Sequence, residues 1–313
     1  MSNTTTSELI VDNRPTINIS SSNMVAMNED RTKKVLISYA VTSGPLAICL
    51  ICCLCSYKMA FTKNLRAHAG ERIYSPLFPL IAYSYRNIKY LYIMFFVFGI
   101  CSGIYLSMGV IGILRIFSLE MFFGMSWAIT LYVATYQMVI SIISIHRFIS
   151  SHQSPELRRD PTRKNVFLLI VFVALLMIFK DIGIGAWMLV LAFGKDFRLE
   201  KLTTVMLYYS VVYITRQILL FIATIFQFCI SEAPKSHSEY CVVTDAKYIG
   251  LVKIILGTIC FASYLLNFEI TIASTLFFGI DMFLVPVVVQ ITEIRANPNV
   301  IIPTEIQLEP LIV

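Results

Sequence analysis

The sequence predicts an all-α membrane protein, a bundle of seven transmembrane helices with its N-terminus outside and its C-terminus in the cytoplasm. Three observations predict it. Hydrophobic residues make up 57% of the 313 and charged residues only 14%, against roughly 45–50% and about 25% in an ordinary soluble domain. Apolar stretches long enough to cross a bilayer recur along the whole chain. Lys and Arg gather in alternate connections between those stretches, the asymmetry expected where some loops stay in the cytoplasm.

Taken in order, residues 1–34 are polar and rich in Ser, Thr and Asn. They lack the basic start, short apolar core and small-residue cleavage site of a secretory signal, so they read as an extracellular tail. Asn3-Thr4-Thr5 and Asn18-Ile19-Ser20 fit the N-glycosylation acceptor pattern. A helix needs about 20 mostly apolar residues to cross a core about 30 Å thick, and seven stretches meet that length: 35–57, 91–114, 121–145, 166–193, 202–230, 248–267 and 270–291. Together they define a transmembrane unit over 35–292, followed by a short cytoplasmic tail, 293–313. Pro76-Leu-Phe-Pro-Leu-Ile-Ala-Tyr83 is apolar but too short to span, and it reads as a cytoplasmic interfacial segment leading into the second helix. Only Phe268 and Glu269 separate the last two spans; the combined run is too long for one crossing, so a tight hairpin is expected.

Orientation follows from the basic residues. With the N-terminus outside, the inner loops hold Lys58, Lys63, Arg66, Arg72, Arg86 and Lys89, then Arg147, Arg158, Arg159, Arg163 and Lys164, then Lys235 and Lys247, with Arg295 in the tail. The outer loops hold Arg115, Lys195, Arg198 and Lys201. The net charge of +6 therefore reflects membrane edges and not a nucleic-acid surface. Most of the eight cysteines sit in or beside apolar runs and do not resemble a disulfide framework. No Cys/His ligand spacing is read, the four histidines share none, and neither a metal nor another cofactor is expected. Cys52, Cys53 and Cys55, at the inner end of the first span, are either palmitoylation sites or small apolar packing residues. No nucleophile, base or metal cluster assembles, which argues against an enzyme.

Ionisable side chains near the bilayer centre cost several kcal/mol unless paired or hydrated, so each marks a possible site. Lys180 and Asp181 fall mid-way along the fourth span, Arg216 in the fifth and Asp281 in the seventh. The structural reading pairs Asp181 with Arg216 and leaves Lys180 to reach toward another helix or a polar headgroup. For Asp281, which has no sequence-near partner, one reading is that it faces a hydrated cavity, where it binds a ligand or cation or moves in gating. Another gives Asp281 a structural hydrogen bond, to Asn267 or a hydroxyl. Lys253, near the start of the sixth span, is expected to snorkel to the surface. Pro286 removes one backbone bond five residues after Asp281, giving either a hinge or a tolerated membrane-helix proline. At the inner end of the third span, Arg147 in Ser144-Ile-His-Arg-Phe148 reads as a partner-coupling residue or a positive-inside anchor.

Several of these motifs, Pro76 to Tyr83 with Lys89-Tyr90, His146-Arg147-Phe148, Lys180-Asp181, and Asp281 through Pro286-Val-Val-Val-Gln290-Ile291, resemble the nematode chemoreceptors called serpentine receptor class Z. A sister nematode class resembles the chain nearly as well. The resemblance implies a chemosensory receptor in the plasma membrane of sensory cells, with a small-molecule ligand and a heterotrimeric G protein as partners. Against the rhodopsin-like pattern, only Arg147 matches at the end of the third helix, no Asn precedes Pro286, and no cysteine stands in 115–125 or 194–201 for the usual outer disulfide. The competing reading is an ion channel or transporter that uses the intramembrane charges along its path.

Overall fold

The computed structural model describes residues 21–108, 112–154, 161–193, 199–230, 232–266, 276–277 and 279–296. Asn3 and Asn18, and Asn267 as a partner for Asp281, lie outside them. Every regular element among the described residues is helical: α1 (Ser21–Ala67), α2 (Glu71–Tyr74), α3 (Phe78–Asn87), a π turn (Ile88–Tyr92), α4 (Ile93–Ser107), α5 (Ile113–Ser151), α6 (Arg163–Phe193), α7 (Leu199–Cys229), α8 (His237–Leu265) and α9 (Asp281–Arg295).

Among the described residues, six stretches are long and apolar enough to cross a membrane: Lys33–Ala67, Phe78–Ser107, Ile113–Ser151, Arg163–Val190, Leu207–Cys229 and His237–Ser263. Their outer faces leave Phe172, Phe179, Ile182 and Val190 largely exposed, a surface that hydrocarbon accommodates and water does not. The chain is therefore a multi-pass membrane protein.

Three boundaries differ from the sequence reading. The segment read as interfacial, from Pro76 to Tyr83, enters the second span: Phe78 to Ser107 is one helical run through α3, the π turn and α4. Pro79 stands in the first turn of α3, where a missing amide hydrogen breaks no bond. Leu80, Ile81, Ser84, Ile88 and Tyr92 then recur along its buried face. α8 begins at His237, so Asp245 and Lys247 are helical and not part of a loop. Its start is held from outside by Glu71, whose carboxylate accepts from the backbone amides of His237 (2.6 Å) and Ser238 (3.0 Å) and from the Ser238 hydroxyl (2.6 Å). α1 starts at Ser21, within the stretch read as tail, and continues past Tyr57 to Ala67, which places Cys52, Cys53 and Cys55 inside the helix and not at its end.

α5 lies at the centre, packed against α4, α6, α7, α8 and α9. Residues 132–137 and 139–141 are buried in an almost unbroken run. Ala134, Ser141 and Ser144 are small enough for neighbours to approach closely, the usual basis of helix packing in membranes. Gly250 serves the same end between α7 and α8, since a Cβ there would lie 1.7 Å from Thr224 Oγ1. α9 packs along α1. At one end the Tyr39 hydroxyl donates to the Gly279 carbonyl at 3.4 Å, and at the other Asn64 Nδ2 donates to the Glu293 carbonyl at 3.1 Å. Residue numbers rise in the same direction in both, so α1 and α9 run parallel.

Candidate functional site

Two polar constellations interrupt the apolar packing, one at mid-depth and one at the end of the bundle that carries Arg72, Arg147 and Arg163. At mid-depth, α7 contributes Tyr213, Arg216 and Gln217 at helical spacing, so all three present toward α8 and α9. Asp281, the first residue of α9, is their common acceptor. Its Oδ2 lies 3.1 Å from the Tyr213 hydroxyl, 3.3 Å from Gln217 Nε2 and 3.4 Å from Arg216 Nη2. Its other oxygen, Oδ1, is 3.0 Å from Lys253 Nζ of α8. Lys253 also donates to the Tyr213 hydroxyl at 3.0 Å and to the Phe277 carbonyl. Lys253 is 0% exposed and Asp281 4%. Two cations thus share one carboxylate, with a tyrosine hydroxyl between them.

This geometry corrects two expectations. Asp181 does not pair with Arg216. It pairs with Lys180 at 2.8 Å and accepts from Trp127 Nε1 at 2.9 Å, because the α6 face that carries it turns toward α5, while Arg216 turns toward α9. Lys253 does not snorkel. Since α8 starts at His237, Lys253 lies about 24 Å along it at about 1.5 Å per residue, too deep for its side chain to reach the end. Asp281 consequently has ion-pair partners on both sides and is buried among the described residues. The sequence reading missed Tyr213 and Gln217 altogether; their positions three residues before and one residue after Arg216 gave no signal beyond proximity to a charge. Lys180 approaches the same region: its Nζ lies 4.8 Å from the Tyr209 ring centre, and Met177, Lys180, Tyr209, Val212, Tyr213 and Arg216 enclose a void of about 10 Å³.

Pro286 and the π turn meet beside this cluster. Proline has no amide hydrogen, so the carbonyl four residues earlier, that of Met282, loses its helical donor. The Tyr92 hydroxyl, the last residue of the π turn, donates to that carbonyl at 2.5 Å. The backbone gap beside Asp281 is therefore filled from the second span.

At the other end, Arg147 joins α5 to α7 and α8. Its Nε lies 2.7 Å from Glu239 Oε1, Nη1 donates to Gln227 Oε1 at 3.0 Å, and Nη2 donates to the Glu232 carbonyl at 2.8 Å. The guanidinium sits in the wall of a cavity of about 490 Å³ whose lining includes Pro76, Leu77, Ile143, His146, Gln227 and Val243. Arg163 closes another side and donates to the Arg72 carbonyl at 2.7 Å, so Arg72 of α2 and Arg163 at the start of α6 converge on one face with Arg147. Deeper, the Tyr136 hydroxyl donates to Asp245 at 2.5 Å; Asp245 is 1% exposed, and its role was hidden by its placement in a presumed loop. No protein-family model, curated protein or solved structure matches this sequence.

Proposed function

We propose that this chain is a seven-transmembrane chemosensory receptor, resembling nematode serpentine receptor class Z, that couples a small-molecule ligand outside the cell to a heterotrimeric G protein inside it. The observation that carries the reading is the Arg147 clasp at the edge of the 490 Å³ cavity. An arginine that ties α5 to α7 and α8 at the basic end of the bundle holds those helices in one of two arrangements. A partner segment entering the cavity competes for the same groups, and a ligand that favours the released arrangement raises the partner's affinity by population shift.

The parallel course of α1 and α9 supports seven crossings. Spans alternate in direction, so a last helix parallel to the first requires an odd number, and α9 follows six. The gathering of Arg72, Arg147 and Arg163 at one end supports a cytoplasmic assignment for it. The mid-depth cluster is the region where a ligand from outside would act, since Asp281, Arg216 and Lys253 join three helices through interactions that a polar molecule could rearrange. Their close mutual pairing and burial give an ion path no specific support.

The test is a calcium or cyclic-nucleotide response in a heterologous cell presented with an odorant panel. Arg147→Ala, delivered normally to the surface, raises signalling without ligand and abolishes the further rise on adding it; an unchanged response refutes the coupling role. Epitope tags at the N-terminus and between Glu232 and Ser236 read topology independently, the first accessible outside and the second only after permeabilisation.

A further inference from the structure

α8 and α9 bring His237, Cys241 and Glu293 together beside Asn64 of α1, with their ligand atoms all within 4.8 Å of one another and all three residues buried. His237 Nε2 lies 3.2 Å from Glu293 Oε1 and 3.6 Å from Cys241 Sγ, and Cys241 Sγ lies 3.4 Å from Glu293 Oε2. Tetrahedral zinc has bonds of about 2.0–2.3 Å, which sets its ligand atoms about 3.3–3.8 Å apart along each edge. The three donors already stand at close to that separation. His237 and Cys241 are four residues apart on one helix and so project from one face.

A second observation points to an occupant. His68 stacks on His237, ring centres 5.0 Å apart and planes 10° from parallel. Both His68 Nε2 and His237 Nδ1 are buried with no hydrogen-bond partner among the described residues. They border a cavity of about 20 Å³, which Asn64, Glu71 and Glu293 also line. A space of that size holds a single water or ion. Buried polar nitrogens left bare are costly; His68 Nε2 is free to serve as a ligand, and a water in the cavity would satisfy His237 Nδ1 while His237 Nε2 faces the ion.

We propose that His237, Cys241 and Glu293 bind one Zn²⁺, with His68 or a cavity water as the fourth ligand. The ion would tie α8 to α9, and His68 as a ligand would add the residues that follow α1, at the end of the bundle that carries Arg147. Charge favours it: a thiolate and a carboxylate exactly balance a divalent cation once the thiol proton leaves to solvent, so the buried site is neutral when loaded. The mixed nitrogen, sulfur and oxygen donors suit zinc and not calcium or magnesium. Asn64 Nδ2, donating to Glu293 Oε1 at 2.9 Å, orients the carboxylate. The proposal does not depend on the receptor reading, because it concerns metal content and not signalling.

Protein purified in detergent, stripped with a chelator and dialysed against Zn²⁺, retains one equivalent per chain by elemental analysis. Loading with Co²⁺ gives a thiolate-to-cobalt charge-transfer band. Cys241→Ala and Glu293→Gln lose the metal, whereas Cys49→Ser with Cys53→Ser retains it. Asn64→Ala weakens binding by about 10–100-fold, the usual effect of removing a group that orients a ligand. Absence of the charge-transfer band in the native sequence overturns the proposal without recourse to any variant. So does metal that stays with Cys241→Ala but leaves with the Cys49 and Cys53 pair.

Discussion

Tyr92→Phe removes one oxygen atom and isolates the repair of the proline gap in α9. Tyr92 is 1% exposed, so the 2.5 Å hydrogen bond it gives the Met282 carbonyl forms inside the bundle. A buried acceptor stripped of its partner costs about 1–3 kcal/mol. The same change is made with Pro286→Ala, which returns an amide hydrogen to the position four residues after Met282 and offers the carbonyl a helical donor. Tyr92→Phe then costs less, and the difference between the two backgrounds is the coupling, of about 0.5–3 kcal/mol for groups in direct contact. Reversible unfolding in mixed micelles, followed by circular dichroism, measures all four proteins. Equal cost of Tyr92→Phe in both backgrounds refutes the reasoning, as does a cost in the native background within about 0.5 kcal/mol of zero, the size of an ordinary surface change.

In the mid-depth cluster, Asp281→Asn destabilises by about 3–5 kcal/mol, more than Lys253→Met does, because it leaves two buried cations without their counter-charge; Lys253→Met leaves Asp281 with Arg216. The reverse order of unfolding free energies contradicts the shared-carboxylate geometry. Gly250→Val separates α7 from α8, since even its Cβ would meet Thr224 Oγ1, and lowers the thermal midpoint in detergent; an unchanged midpoint contradicts the close approach. Glu239→Gln weakens the Arg147 clasp. A charge-assisted hydrogen bond worth about 1.5–3 kcal/mol corresponds to a shift of about 10–100-fold between two arrangements. Signalling without ligand therefore rises in the same cellular assay, and basal signalling equal to the parent's counts against the clasp as a restraint.

The crossings were legible because hydrocarbon imposes a requirement on composition and length that any window along the chain can read. Helix ends were less so. Polar residues such as Asn64, His237 and Asp245 look like loop when counted along the sequence, yet they extend α1 and α8 because they find partners in the bundle: Asn64 at Glu293, the His237 amide at Glu71, and Asp245 at Tyr136. Pro76 to Tyr83 was read as too short to span because Arg86 and Lys89 follow it. Arg86 is exposed, however, and Lys89 lies against the Tyr85 and Tyr90 rings, so the helix continues past both.

Sequence by itself determined that this is a helical membrane protein, that its charges near mid-depth have to be neutralised, and that Arg147 stands where a helix meets a basic loop. Solvation decides those points, and each residue's solvation preference is local. Tertiary structure decided which charge meets which. Asp281 takes Arg216 and Lys253, Asp181 takes Lys180 and Trp127, and Glu293 joins His237 and Cys241. Partner choice depends on which faces of separate helices are turned together, and that rotation is set by packing between segments far apart in the chain.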